Sequence, residues 1–222
     1  ASMLEYVNRT MNKHIVTVED PVEFRFEDKR SIVNQREIGT DVSSFPQALR
    51  QALRQSPDVI LIGEMRDADT VAAAISAAET GHLVFSTLHT VNAVQTVERI
   101  ISFFPPHQHE LVRMQLALNL AGVCSLRLVK NKDGTSMVPA VELMINTPTV
   151  RDLLEQGETR MLPKALAEGS YYGTMTFNQS LIRLFQAGNI SLEDALGASD
   201  NPDDLKMQMR GITQGAQPRA NA

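Results

Sequence analysis

The stretch Ser56–Asp69, SPDVILIGEMRDAD, decides the fold. Its centre, Val59-Ile60-Leu61-Ile62, is an unbroken apolar run after a Pro-Asp turn. A strand with one wet face alternates apolar and polar residues. A run without alternation suits a strand covered on both faces, as in a parallel α/β sheet. Gly63 and the carboxylate of Glu64 follow directly. Ligands of open α/β sheets sit at the carboxyl ends of strands, so Glu64 stands where such chemistry takes place. A solvent-facing strand-end acid is the competing reading, and the run alone does not separate the two.

Two other stretches end in the same manner. His14–Glu19, HIVTVE, is a short β-branched strand. It breaks at Asp20-Pro21, because proline drives the preceding residue out of the α region. Glu19, Asp20 and Glu23 gather at its end, where a solvated acidic turn is the alternative. His82–His89, HLVFSTLH, predicts a third strand, with His82 at its start and Thr87 and His89 at its end. Three strands then bring Glu19, Asp20, Glu23, Glu64, Thr87 and His89 to one edge. Polar groups converging in a pocket mark a candidate active site.

Around these strands the chain is mostly helical. Met3, Leu4, Tyr6 and Val7 have helical spacing, and the chain opens without a cap, as if inside a larger fold. Ser31–Gly39 reads as an edge strand or hairpin. Phe45–Gln55 is a helix with Ser44 as N-cap and Pro46 near its first position. Its Arg50 and Arg54 share one face, either as solvated charge or as a clamp on an anion or a neighbouring subunit. Asp67–Thr80 is an alanine-rich helix closed by Gly81. Asn92–Phe103 is amphipathic. His107–Val129 predicts a long helix with an apolar stripe of Leu111, Met114, Leu118, Cys124 and Leu128. An Asp133-Gly134 turn joins Ser125–Val129 to Met137–Ile145. Helices follow from Thr147 onward, with a capping-box pattern at Ser191–Asp194. Gln214–Ala222 loses its apolar pattern and reads as a frayed tail.

Composition removes several classes of function. The 222 residues carry a formal net charge of −5 and no basic block, so nucleic acid is not an implied partner. One cysteine, Cys124, allows no internal disulfide and no four-cysteine zinc site, and it reads as a buried, inert thiol. No apolar run is long enough to span a bilayer, and a cytoplasmic protein without direct membrane insertion is expected. The HExxH, G-x-S-x-G and G-x-G-x-x-G patterns are all absent. Metal-assisted hydrolysis and general-base catalysis on water both remain compatible with the strand-end groups.

An apolar strand ending in Glu64 resembles a Walker B segment, whose acid orients water or Mg²⁺ in nucleotide hydrolysis. The resemblance becomes specific when the motifs are read together. VTVEDPVEF, NQREIG, ALRQALRQSPDVILIGEMRD, AAETGHLVFSTLHT and TPTVRDLL occur in this order. The set is similar to the PilT/PilU family of type IV pilus retraction ATPases, within the secretion ATPase superfamily. QLALNLAG, MTFNQSLIRLFQAGNISLEDAL and NPDDLKMQM are more similar to the PilU branch.

That resemblance implies an α/β, RecA-like, mostly parallel sheet flanked by helices. Residues 1–146 would be a partial ATPase core, 147–211 a C-terminal helical region and 212–222 a disordered tail. It implies ATP with Mg²⁺ at subunit interfaces of a hexamer, either homomeric or mixed with a paralogous retraction ATPase. The expected partner is the inner-membrane pilus platform protein, at the cytoplasmic base of the pilus. Glu23 would be the base for the attacking water, supported by Glu19 and Asp20. Glu64 would position Mg²⁺, through water, and the nucleophile. His82, Thr87 and His89 would contact nucleotide or couple sites, and Arg50 and Arg54 would reach across the interface. Arg151 and Leu154 would centre the retraction element, which here departs from the family at Val150 and Asp152. Assembly and secretion relatives usually carry a four-cysteine zinc insert, which a lone Cys124 cannot supply.

One part of the family pattern is missing: no G-x-x-x-x-G-K-[ST] occurs. In the family this P-loop, whose amides cradle phosphates, lies just upstream of the segment resembling ASMLEYVNR. The expectation is a C-terminal piece that starts after the P-loop and lacks the family's PAS-like domain. A non-catalytic ring subunit that depends on an active paralogue is the alternative. A sheet lacking a strand exposes an unpaired edge, so aggregation or partner dependence is expected; a monodisperse monomer with a sharp thermal transition would contradict it. The 222-residue polypeptide should show negligible ATP turnover in a phosphate-release assay. Turnover that Glu64→Gln abolishes would overturn that expectation.

Overall fold

A computed structural model describes residues 1–211. The residues expected to form the tail, 212–222, lie outside the described residues. In chain order the helices and strands are α1 (Ser2–Thr10), β1 (His14–Glu19), β2 (Ile32–Glu37), α2 (Phe45–Ala52), β3 (Val59–Ile62), α3 (Ala68–Glu79), β4 (Leu83–Ser86), α4 (Ala93–Ser102) and α5 (His109–Asn119). They continue with β5 (Gly122–Lys130), β6 (Met137–Ile145), α6 (Pro148–Gln156), α7 (Leu162–Glu168), α8 (Phe177–Gln186), α9 (Leu192–Ala198) and α10 (Pro202–Met209). The chain divides into two compact units. The first comprises Ala1–His89 and Glu98–Leu120; the second comprises Thr90–Val97 and the described residues from Ala121 to Gly211.

The first unit is built on a four-stranded sheet in the order β2-β1-β3-β4, parallel throughout. The unbroken apolar run of β3 has the expected cause. Ile60 and Ile62 pack with Leu49 of α2 and Ala74 and Ala77 of α3 on one face. Val59 packs with Leu4 and Val7 of α1 on the other, with Leu61 partly buried beside them. Both faces are dry, so successive side chains are apolar in either direction. Alanines at 74 and 77 let α3 lie close to the sheet. Local signals set the helix starts. Ser44 and Asp67 cap α2 and α3 by accepting from the amides of Gln47 and Thr70. The Ser31–Gly39 segment resolves to an edge strand, β2, paired parallel to β1 rather than in a hairpin.

The long connection between β1 and β2 is organised by Asn8, which is fully buried. Its side chain donates to the Glu27 carbonyl at 2.8 Å and accepts from the Lys29 amide at 3.2 Å. Glu5 adds ion pairs to Lys29 and to Arg9, the latter at 2.7 Å. These two cations hold the Glu5 carboxyl down to about 2, the Lys29 hydrogen bond first and Arg9 next.

The second unit pairs β5 with β6 as an antiparallel hairpin. Asn131 at its tip accepts from the amides of Thr135 and Ser136, and Gly134 takes the positive φ of 67° that the turn requires. Val129 and Ala140 of the hairpin share a core with Phe177 and Leu181 of α8, Ala195 of α9 and Leu205 of α10. The hairpin and the C-terminal helices therefore share one core.

Two expectations are corrected here. The helix predicted over His107–Val129 is a one-turn 3-10 segment followed by α5, which ends at Asn119, with Leu120 already extended at ψ 120°. Beyond it Gly122 pairs so closely with β6 that a Cβ would lie 2.5 Å from the Met144 carbonyl oxygen. The apolar residues at 124, 126 and 128 follow a strand's period of two. Leu111, Met114 and Leu118 do form a helical stripe, but an exposed one; α5 buries Val112, Leu116 and Ala117. Cys124, expected to be a buried thiol, is exposed, because it lies on the outer face of β5 with Leu126 and Leu128. The capping box that forms is at Thr176–Gln179. At Ser191 the hydroxyl caps the Asp194 amide and also meets the Asp194 carboxylate.

Replacing Ile60 by Ala should cost about 2–5 kcal/mol in chemical denaturation, the range for a fully buried aliphatic whose surroundings collapse only in part. Glu5 adds a pH dependence of known sign. Its folded pKa lies below its unfolded value, so its contribution is complete above the ordinary glutamate range and disappears as pH falls towards 2. The melting temperature of Glu5→Gln should therefore lie below wild type at pH 7, and the gap should close between pH 4.5 and 2.

Candidate active site

The carboxyl ends of β1, β3 and β4 open into a cleft of about 310 Å³ within the first unit. Its polar lining is Glu19, Asp20, Glu23, Glu64, Thr87 and His89, and Phe24, Phe26 and Leu61 form an apolar wall. Residues separated by up to seventy positions meet because three neighbouring strands run the same way. Gly63 makes the convergence possible. Its amide continues the ladder to the Val18 carbonyl at 2.8 Å. A Cβ there would approach the Glu19 Cα at 3.2 Å and the Val18 carbonyl oxygen at 3.3 Å, so only glycine allows the two strand ends this spacing without a shift.

The acids of the cleft are held in different ways. Glu19 is buried and accepts from the Thr17 hydroxyl at 2.6 Å and from Gln35 at 3.2 Å. Gln35 also donates to the Phe24 carbonyl and accepts from the Phe26 amide, and so fixes the loop that carries Glu23. Glu23 itself is exposed at the rim and makes no hydrogen bond or ion pair among the described residues. Glu64 is 14% exposed and has both oxygens engaged. One is paired with Arg66 and the other lies 3.3 Å from His89 Nε2. The Arg66 hydrogen bond, with a lesser one from His89, holds the Glu64 carboxyl below its ordinary range against the opposing effect of burial. The same pairing pushes Arg66 further up. Arg66 also lies 3.7 Å from Asp20. The His89 side chain is 90% exposed and free to turn towards a ligand.

Not every residue singled out in the sequence joins this site. Thr87 and His89 lie beyond β4, which stops at Ser86. The Thr87 hydroxyl is committed to the Gly63 carbonyl at 2.6 Å, bracing the floor of the cleft. His82 lies at the opposite end of β4, where its Nδ1 contacts the Ala77 carbonyl at 3.0 Å. Arg50 and Arg54 are exposed on α2 and the 3-10 turn after it, and neither lines the cleft. Arg151 and Leu154 lie on α6 in the second unit, Arg151 exposed and Leu154 buried. Sequence reasoning passed over Arg66 and Gln35. The signal for Arg66 was present, since a cation two residues beyond a strand-end acid can fold back on it. Gln35 had none, because its contacts are all tertiary.

Chemically, the cleft offers an ionised, ordered carboxylate beside an imidazole and a second, unpaired carboxylate at the rim. That set can orient and deprotonate water. No three metal-ligating side chains come together among the described residues. Glu64 is the ordered carboxylate that would face a divalent cation, and an ion that keeps several waters, such as Mg²⁺, needs only one or two carboxylates.

Comparison with known proteins gives a consistent placement. The family model described as Type II/IV secretion system protein matches residues 1–168. The type IV pilus ATPase PilU of Pseudomonas aeruginosa is 42% identical over 210 residues, 95% of this chain and 55% of that protein. The type IV pilus retraction ATPase PilT of the same organism is 44% identical over 205 residues, 92% of this chain and 59% of that protein. A crystal structure of the pilus retraction motor PilT with bound ADP superimposes with a TM-score of 0.83 at 46% identity, over 92% of this chain and 58% of that one. The chain thus spans somewhat more than half the length of these relatives. Its parallel sheet, its strand-end cleft and these matches agree: the chain belongs to the type II/IV secretion system protein family.

Proposed function

We propose that this chain is the catalytic part of an ATP-hydrolysing motor subunit that powers type IV pilus retraction. The observation that carries the reading is the meeting of Glu64, His89 and the acids after β1 in one cleft, in a chain 44% identical to a retraction ATPase. Glu23, the carboxylate without a partner, accepts the proton of the attacking water. Glu64 orients that water. His89, exposed at the cleft, responds to the terminal phosphate. Mg²⁺, held by Glu64 through water, supplies charge neutralisation at the phosphates when bound.

The chain assembles as a hexamer with nucleotide between subunits, which gives Arg50 and Arg54 a place on the interface rather than in their own cleft. The same holds for His82, at the far end of its strand. In α6, Arg151 is the exposed contact of the retraction element and Leu154 anchors it from the core. The pilus platform protein at the inner membrane is the partner. Attachment there is proposed to be peripheral; among the described residues no helix is long and apolar enough to cross a membrane.

A second reading is an accessory ring subunit working with an active paralogue, the alternative raised by the PilU-like segments of the sequence. One experiment separates the two. In the full-length protein, Glu64→Gln and Glu23→Gln should each lower the turnover number about 100-fold or more, the scale of a lost general base or water-orienting group, with nucleotide binding retained. His89→Ala should lower it less. Wild-type protein that binds nucleotide but turns over only when mixed with its paralogue would establish the accessory role.

A further inference from the structure

Arg66 is the only basic group in ionic contact with Glu64 other than His89 among the described residues. Its guanidinium spans Glu64 and, at 3.7 Å, Asp20. Each Glu64 oxygen therefore already has a partner, and the guanidinium charge held against the carboxylate opposes the approach of a second cation. The carboxylate cannot move far, because its side chain is nearly buried and follows a strand end pinned by Gly63 and Thr87. Arg66 can move. Its side chain is 62% exposed and makes no other ion pair among the described residues. A guanidinium does not lose its proton, so its charge leaves Glu64 only by movement of the side chain, which a competing cation at the carboxylates favours. Once displaced, its planar set of donors suits phosphate oxygens.

We infer that Arg66 is an internal counter-ion which holds the cation position between Glu64 and Asp20, and which an incoming divalent cation must displace. The inference rests on the reading of the cleft as a nucleotide-hydrolysing site. Arg66 is thereby a positioning residue: it keeps the two carboxylates ordered and sets a threshold for loading the site. It does so without touching the reacting atoms.

The test is binding of Mn²⁺ to the full-length protein, read from loss of the free-ion electron paramagnetic resonance signal at low salt and without nucleotide. Arg66→Gln should tighten Mn²⁺ binding roughly fivefold, the upper range for loss of a partly exposed ion pair, and the gain should shrink in high salt. Arg66→Lys, which keeps the charge, should bind like wild type. Glu64→Gln should weaken binding. If Glu64→Gln weakens binding while Arg66→Gln leaves it unchanged or weaker, the cleft takes the ion but Arg66 does not compete for it, and the proposal is overturned. Equal tightening by Arg66→Gln and Arg66→Lys also overturns it, because charge would then be irrelevant. If neither Glu64→Gln nor Arg66→Gln moves the affinity, the ion binds elsewhere, and the reading of the cleft falls with the proposal.

Discussion

Parallel pairing of β1 with β3 is the constraint on which the rest depends. Two strands that run the same way deliver their last residues to the same end of the sheet. Glu19 and Asp20 thus lie beside Gly63 and Glu64 through the register Thr17 to Leu61 and Val18 to Ile62. Gly63 refines this placement, since a side chain there would press on the backbone of Glu19. Had the strands been antiparallel, the same acids would face opposite ends of the sheet.

Electrostatics then differentiates carboxylates that look alike in sequence. Glu19 is buried against Thr17 and Gln35 and serves the architecture. Glu64 is held ionised by Arg66 and His89. Glu23 remains without a partner at the rim. A cleft lined by four acids is costly unless cations share it, and the exposed guanidinium of Arg66 meets that need through Glu64 and Asp20. The same chain segment, Gly63 to Asp67, supplies the tight approach, the acid, the cation and the cap of α3.

Much of this was legible in local patterns. The continuous apolar run identified β3 as doubly covered. Proline after Asp20, serine at 44 and aspartate at 67 marked ends and starts, because capping and backbone restriction act over three or four residues. The acid closing the β3 run and the polar residues after the β4 pattern pointed to one edge of the sheet, where Glu64 and His89 do meet. The failures were also physical. Leu111, Met114 and Leu118 have perfect helical spacing yet face outward, since spacing reports a stripe but not what covers it. The helix was carried too far, into Cys124 and Leu128, because alternate apolar residues satisfy either period in a short window.

The sequence by itself determined the elements, the caps and the identity of the strand-end groups, because those follow from short-range sterics and from which residues avoid water. Tertiary structure alone decided which of them meet. It assigned Glu19 to Gln35, committed Thr87 to Gly63, seated His82 against the Ala77 carbonyl and folded Arg66 back onto Glu64. Those outcomes depend on strand order and on three-dimensional approach, which no residue encodes in its immediate neighbours.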